Sequence, residues 1–201
     1  MRKFQTLLAA CLLATAAYAQ QSPSLPILTF GLDLPYQVGY AANLSAGDSQ
    51  ITITNDGFAL GNLCVNVYTY DEQEELIACC ACPVTPNGIN SLSVNGDLVS
   101  NTLTPGVPTA AYVKLLATSG GACNAAVPGV PTWGMVAWGT TLAPVPSGGF
   151  APTRTAFVPG TLSELQLGQM AGLCGFIQAD GTGYGICKSC AAGALAGGSK
   201  K

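Results

Sequence analysis

The chain has 201 residues, of which 49% are hydrophobic and only 8% are charged, and it contains nine cysteines and no histidine. Without an imidazole, a conventional Ser-His-Asp triad is excluded. The formal net charge is −3, and the few lysines and arginines are scattered along the chain. Nucleic acid binding requires a clustered basic face, so we expect no nucleic acid partner.

The first 19 residues have the pattern of an export signal. Arg2 and Lys3 form a positive start, an apolar run follows over 7–17, and Ala19 ends a segment of small residues before Gln20. The apolar run is too short for the roughly 20 residues of a spanning helix. We predict a signal peptide over 1–19, no transmembrane segment in the mature chain, and a mature charge of five bases against ten acids.

A second interpretation of the leader places a lipid anchor on Cys11. Leu8-Ala9-Ala10-Cys11 has the residue order of a bacterial lipoprotein signal. Only 4–8 would then remain as the apolar stretch, which is shorter than the roughly 7 residues of a signal core. We therefore favour cleavage after Ala19 and keep the lipid anchor as the alternative.

Eight cysteines remain after the leader, and an even number in an exported chain favours disulfides over metal ligands. They are Cys64, Cys79, Cys80, Cys82, Cys123, Cys174, Cys187 and Cys190. Their pairing stays open, because eight thiols allow on the order of 100 connectivities. We expect the neighbours Cys79 and Cys80 to take different partners, and we expect bridges both within the C-terminal segment and from it to the strands.

The central part of the chain has the alternation of β-strands. Segments 49–55 and 63–70 alternate apolar and polar residues, which predicts half-buried strands, and Asp56-Gly57 predicts a turn between them. Further short strands are predicted at 76–82, 92–94, 98–103, 111–117, 134–140 and 155–158. The acidic run 71–75 is interpreted as a solvated turn.

The flanking segments differ in composition, and the C-terminal one predicts a helix. Thr161 and Glu164 fit a capping box, leucines recur at helical spacing after them, and Gly181 offers a stop. Gly168 and Gly172 predict close approach to a neighbouring element. The predicted organisation is an extended arm over 20–47, a sandwich domain over 48–142, a Pro/Gly linker or loop over 143–154, a strand, helix and cysteine module over 155–190, and a flexible tail over 191–201.

The predicted fold is therefore mainly β: an immunoglobulin-like β-sandwich, or a barrel, with a short C-terminal helical module stapled by disulfides. Two cysteine groups, 79–82 and 187–190, leave a metal or thiol-exchange site as an alternative. The spacing fits neither a paired zinc knuckle nor a redox pair at the start of a helix. We predict no metal, no cofactor and no catalytic residues, and we interpret the dispersed acids as turn residues and not as a glycosidase pair.

Aromatic residues offer one candidate for ligand contact. Trp133 and Trp138, with Tyr68 and Tyr70, are candidates for a platform on which a sugar stacks, although aromatics at alternate positions are more often core residues. The favoured function is a non-enzymatic structural or adhesive protein, secreted or at the cell surface, with the periplasm as another compartment. Its expected partners are envelope or matrix components or its own copies. The alternatives are a carbohydrate or small-ligand binding module, and a thiol redox or metal-binding protein.

Overall fold

The computed structural model describes residues 34–190. The predicted signal peptide, the Cys11 alternative and the predicted tail lie outside the described residues. The elements in chain order are β1 (Tyr36–Ala41), β2 (Gln50–Asn55), β3 (Leu63–Tyr70), β4 (Leu76–Val84), β5 (Ile89–Ser93), a π-helical turn (Val94–Leu98), β6 (Ala111–Ser119), β7 (Val130–Pro131), β8 (Met135–Pro144), β9 (Phe150–Ala156), β10 (Val158–Pro159) and α1 (Glu164–Ala179). The prediction of a mainly β fold is confirmed.

The strands form two antiparallel sheets. The six-stranded sheet has the order β10-β1-β6-β3-β4, with β7 paired to β6, and the four-stranded sheet has the order β5-β2-β8-β9. Their inner faces share one apolar cluster, which includes Ile53 of β2, Val65 of β3 and Leu115 of β6. This arrangement agrees with a β-sandwich, whereas its immunoglobulin-like type stays a prediction.

The six-stranded sheet is covered on its outer face as well, by α1. Met170 and Ile177 of the helix pack in a second cluster with Tyr68 and Leu116 of the sheet. Strand β3, predicted as half-buried, is consequently buried on both faces. The hydroxyl of Tyr68 reaches through this layer and donates to the carbonyl of Ala125 at 2.7 Å, which satisfies the one polar atom of a fully buried ring.

Helix α1 begins two residues later than the capping box predicts. Ser163 is the N-cap, and its Oγ accepts from the amide of Gln166 at 3.2 Å; Ser163-x-x-Gln166 is itself a capping-box pattern. The helix ends before Gly181, whose φ of +70° makes it the predicted stop. A Cβ on Gly168 or Gly172 would meet nothing within 4 Å, so their predicted close neighbour is absent from residues 34–190. No helix of this range combines the length and apolar character needed to cross a bilayer.

The structure differs from the predicted arm and linker. Strand β1 lies inside the segment predicted as an arm and pairs between β6 and β10. The predicted linker is the hairpin of β8 and β9, with Gly148 and Gly149 at positive φ in its turn. Pro152 fits there because β9 is an edge strand, where a missing amide breaks no ladder.

The predicted strand at 98–103 is not formed, and this segment instead lies along β4. The amide of Leu103 donates to the carbonyl of Ile77 at 2.9 Å, and the amide of Cys79 donates to Gly185 at 2.8 Å. Strand β4 is the last strand of its sheet, and unpaired strand edges promote aggregation. Two irregular segments therefore occupy hydrogen-bonding positions along this edge.

Candidate binding site

The eight cysteines within residues 34–190 form four disulfides, which confirms the prediction that they are bridged. The pairs are Cys64–Cys123, Cys79–Cys174, Cys80–Cys187 and Cys82–Cys190. Their Cα–Cα distances run from 4.9 to 5.8 Å, within the usual range for a disulfide. Three of the four bridges end on β4.

Alternation along β4 decides where each bridge goes. Cys79 packs in the cluster with α1, whereas Cys80 and Cys82 pack in the cluster between the sheets, because successive side chains of a strand point to opposite faces. The neighbours Cys79 and Cys80 take different partners, as predicted. The expected bridges within the C-terminal segment were wrong, since Cys174, Cys187 and Cys190 each bond to β4.

The four disulfides weigh against the metal-binding and thiol-exchange alternatives, because a sulfur in a disulfide is not a free thiolate. The Sγ atoms of Cys80, Cys82 and Cys190 lie within 4.8 Å of one another, a grouping that thiolates around zinc also adopt. Here each sulfur is bonded to another sulfur. Cys187 and Cys190 are joined to β4 and not to each other, so the C-x-x-C spacing does not form an exchange disulfide.

The outer face of the six-stranded sheet carries three tyrosines side by side. In the strand register Tyr40 of β1 is opposite Tyr112 of β6, and Tyr112 is opposite Tyr70 of β3. Directly opposite residues on paired strands have Cβ atoms roughly 5 Å apart on the same face. The three rings, which we call the tyrosine row, therefore form a continuous aromatic surface across three strands.

Lys114 lies on the same face, two residues after Tyr112 in β6. Its Nζ is 4.2 Å from the ring centre of Tyr70 and 5.7 Å from that of Tyr112, so the ammonium interacts with both π-systems. Burial lowers the pKa of Lys114, and the negative charge of Glu74 acts in the opposite direction. Burial also raises the pKa of Tyr70, which keeps its phenol protonated as a hydrogen-bond donor.

The acidic turn between β3 and β4 lies at one end of the tyrosine row. Asp71 accepts from two amides of its own turn. Glu72 accepts from the hydroxyl and amide of Thr109 and the amide of Ala110, and the pKa of Glu72 is lowered, chiefly by the Thr109 hydroxyl. Two of the acids interpreted as solvated therefore shape the loops around the site.

Two open grooves, each of about 590 Å³, meet over Tyr70, Glu74 and Lys114. One extends over the rest of the tyrosine row to the acidic turn. The other extends to α1 and is lined there by Gln166, Gln169, Met170 and Leu173 among others. Glu74 has a φ of +65°, a conformation that is uncommon for a residue with a side chain. The shared centre thus contains a ring, a carboxylate and an amine, with amides on the helical side.

This composition suits a ligand that is polar at its edges and apolar on its faces. Binding sites of this kind combine aromatic or apolar walls with a few polar groups that fix orientation. Sugar rings present such a combination of C–H faces and hydroxyl edges, and tyrosine offers both a ring face and a hydroxyl. The grooves are open, so a chain of sugar units could lie across them.

The predicted tryptophan platform is divided between different parts of the molecule. Trp138 lies on the outer face of the four-stranded sheet, where the guanidinium of Arg154 is 4.6 Å from its ring centre. Trp133 precedes β8 and lies beside Phe58, with ring centres 6.4 Å apart. Tyr68 is a core residue. Ligand stacking on Trp133 and Trp138 stays a prediction.

Asp48 and Asp97, two of the dispersed acids, come together in a structural role. The hydroxyl of Ser93 donates to Asp48 at 2.6 Å, and its amide donates to Asp97 at 2.8 Å. Asp48 also accepts from the amide of Asn95 at 2.8 Å. These bonds hold the π-helical turn after β5, which favours the interpretation of both carboxylates as loop-forming groups.

Sequence reasoning missed Tyr40 and Tyr112 as site residues. Tyr40 lies in the segment predicted as an arm. The spacing of Tyr112 and Lys114 places both on one face of a strand, but only the pairing of β1, β6 and β3 brings Tyr40 and Tyr70 next to them. That pairing joins segments distant in sequence, and no local pattern predicts it.

Comparison of the chain with protein-family models, with curated proteins and with solved structures finds no match in any of the three. The function is therefore argued from the disulfides, the surface composition and the geometry of the tyrosine row. Fold class alone does not carry a function, because one fold hosts many.

Proposed function

We propose that this chain is an exported, non-enzymatic protein that acts at the cell surface or outside the cell in an adhesive or structural role. Four disulfides are typical of proteins that fold outside the reducing cytosol. The sequence contains no histidine, which removes the commonest general base. Sparse charge suits a surface that rests against envelope or matrix material or other copies of the chain.

The observation that carries the adhesive role is the tyrosine row with Lys114 and Glu74 at the meeting point of two grooves. It favours carbohydrate as the material bound. The three rings stand across strands that are braced by a packed core beneath them, so binding does not require the aromatic surface to become ordered first. Preorganisation of this kind lowers the entropic cost of association.

A carbohydrate array followed by calorimetric titration of the best oligosaccharide tests this proposal. Tyr40 is 58% exposed, so Tyr40→Ala should fold normally and weaken binding about tenfold, as the loss of one stacking ring predicts. Tyr184→Ala, which removes a tyrosine that is 57% exposed outside the grooves, should leave affinity unchanged. Binding that survives Tyr40→Ala and Tyr112→Ala but is lost in Trp138→Ala or Trp133→Ala would move the site to the predicted tryptophans.

The redox and metal alternatives have a direct test in the native protein. Because the sulfurs are paired, we expect the unreduced protein to leave a thiol reagent unconsumed and to contain no stoichiometric zinc or iron. Reaction at most of the eight cysteines would contradict the proposal. Mass spectrometry of the mature N-terminus, in the same sample, distinguishes cleavage after Ala19 from a lipid on Cys11.

We also propose that the sandwich is of the immunoglobulin-like type. The pairings of β2 with β5 and of β3 with β6 join strands three apart in chain order, as the B–E and C–F pairs of that fold do. An experimental structure in which the two sheets close into a single barrel would contradict this assignment.

A further inference from the structure

A short loop between β2 and β3 presents large apolar side chains to solvent. Phe58 is 68% exposed and Leu60 is 93% exposed. Trp133, from the segment before β8, stands beside Phe58 and is 41% exposed. Isolated exposed apolar residues are common, but a group of large ones on one loop marks an interaction surface. We call Phe58, Leu60 and Trp133 the apolar tip.

The loop that carries the apolar tip is held by hydrogen bonds from polar side chains at its base. Asp56 Oδ1 accepts from the amide of Phe58 at 2.8 Å. Asn55 accepts from the amide of Gly57 and donates to the carbonyl of Gly61, both at 2.9 Å. Asn55 is itself fully buried. The exposed side chains are therefore carried by a loop whose backbone is held in place by these hydrogen bonds.

The backbone of the loop adopts conformations that favour glycine. Leu60 has a φ of +54°, a left-handed conformation that is rare for a bulky residue. Gly134, next to Trp133, has a φ of +102°, and a Cβ there would lie 2.8 Å from Asp56 Oδ1. The backbone of Leu60 is therefore strained in the conformation that exposes its side chain to solvent.

The surface around the apolar tip is neutral apart from one acid. The register places Ile89 of β5 and Val136 of β8 on either side of Thr54, and both are exposed, so the apolar surface continues onto the sheet. The segments 55–61, 85–90 and 133–136 contain Asp56 as their one charged residue, and the guanidinium of Arg154 lies further along the sheet, over the ring of Trp138. The segments nearest the tip therefore offer anionic lipids and polyanions no cation of their own.

We propose that the apolar tip inserts into the interface of a lipid bilayer made of zwitterionic lipids. Phe58 and Leu60 of the tip lie on the loop that joins β2 of the four-stranded sheet to β3 of the six-stranded sheet, and Leu60 is almost wholly exposed there, so the tip cannot enclose a small molecule. It can enter a soft apolar phase, in which tryptophan and phenylalanine favour the headgroup boundary. Charge complementarity selects the lipid: a neutral surface with a single carboxylate matches uncharged or zwitterionic headgroups and is repelled by anionic ones.

Flotation with phosphatidylcholine vesicles tests the proposal on the purified, disulfide-bonded protein whose N-terminus has been determined. The wild-type protein should float with the vesicles, and the double variant Phe58→Ser, Leu60→Ser should partition about tenfold less, because two exposed apolar side chains no longer leave water. Both side chains are exposed, so the variant should keep its thermal midpoint. Phe176→Ser, which changes a phenylalanine that is 64% exposed on α1, is the matched control and should bind as wild type.

The dependence of vesicle binding on lipid composition and salt distinguishes a zwitterionic bilayer from other partners of the apolar tip. Binding should persist at high salt and should not increase when phosphatidylserine is added, since the segments next to the tip contain no lysine or arginine. Binding that requires phosphatidylserine, or that is equal in the double variant, would overturn the proposal. Concentration-dependent self-association that disappears in the double variant, without vesicle binding, would instead assign the tip to contacts between copies. The double variant should keep any oligosaccharide affinity of the tyrosine row, so the two proposals fail independently.

Discussion

The two sheets of this protein differ in what lies on their outer faces. On the four-stranded sheet β2 alternates between buried and partly exposed residues, because nothing in the described range packs on its outer side. On the six-stranded sheet α1 forms a third layer, and β3 is buried on both faces. A strand with an alternating sequence, such as β3, is therefore buried on both faces when a helix packs over its outer side. Here the helix is held to the sheet by the disulfide between Cys79 and Cys174.

Removing the Cys79–Cys174 disulfide should loosen α1 from the six-stranded sheet and leave the four-stranded sheet unaffected. The double variant Cys79→Ala, Cys174→Ala opens a loop of 95 residues and should lower the free energy of unfolding by about 4 kcal/mol, measured by urea denaturation. In hydrogen exchange the amides of α1 should lose protection, while those of β2 and β8 keep it. The double variant Cys64→Ala, Cys123→Ala is the control, since it opens a loop of 59 residues without releasing the helix. Equal loss of helix protection in both variants would contradict the account.

A substitution of Tyr68 measures how much the outer side of β3 contributes to the free energy of unfolding. Tyr68→Phe removes the bond to the Ala125 carbonyl and leaves that buried acceptor unpaired, so we expect a loss of about 1 to 2 kcal/mol in the free energy of unfolding. The exposed Tyr184 supplies the matched control, for which the same change should have almost no effect. An unchanged stability in Tyr68→Phe would show that water replaces the hydroxyl and that the helical layer is not dry.

Thr69, the next residue of β3, faces the inner side of the sheet, and there we expect a substitution to raise the free energy of unfolding. Thr69 is fully buried, and its hydroxyl has no hydrogen-bond partner. Thr69→Val replaces that hydroxyl with a methyl group and should raise the free energy of unfolding by about 1 kcal/mol. Thr118→Val is the comparison, because the Thr118 hydroxyl donates to the carbonyl of Cys64 and accepts from the side-chain Nδ2 of Asn66. This change should lower the free energy of unfolding.

The smallest expected effect concerns the rim of the tyrosine row and depends on pH. The pKa of Glu72 is lowered from 4.5, so its carboxylate stabilises the folded state at neutral pH. That contribution is lost as the pH falls from about 4.5 through the lowered pKa of the folded state. Glu72→Gln should therefore be less stable than wild type at pH 7, by less than about 1 kcal/mol because the group is exposed, and equal to it in acid. Glu75→Gln removes a charge from the same turn without these bonds and should show no such convergence.

The sequence predicts the elements that have one simple environment. Alternation identifies β2 and β3, because a regular period of two needs only local residues to be visible. The alternating positions of Cys79, Cys80 and Cys82 also predict that these thiols reach different faces. The stop at Gly181 follows from the same kind of local reasoning.

Elements that depend on distant partners were not predictable in this way. Strand β1 has a glycine and polar residues within its six positions and forms because β6 and β10 flank it. Strand β9 contains a proline that is acceptable only at a sheet edge. For the tyrosine row, the sequence places Tyr112 and Lys114 on one face, but the register that adds Tyr40 and Tyr70 is a property of the assembled sheet.

The disulfides of β4 have a consequence for the order in which native bonds can form in this chain. Cys79, Cys80 and Cys82 are separated from their partners by 95, 107 and 108 residues, so none can find its proper match until the last part of the chain has arrived. Until then these three neighbouring cysteines of β4 have no native partner. Native pairing thus depends on the last described residues, and a chain that stopped short of Cys187 would leave the thiols of Cys80 and Cys82 unpaired in the core between the two sheets.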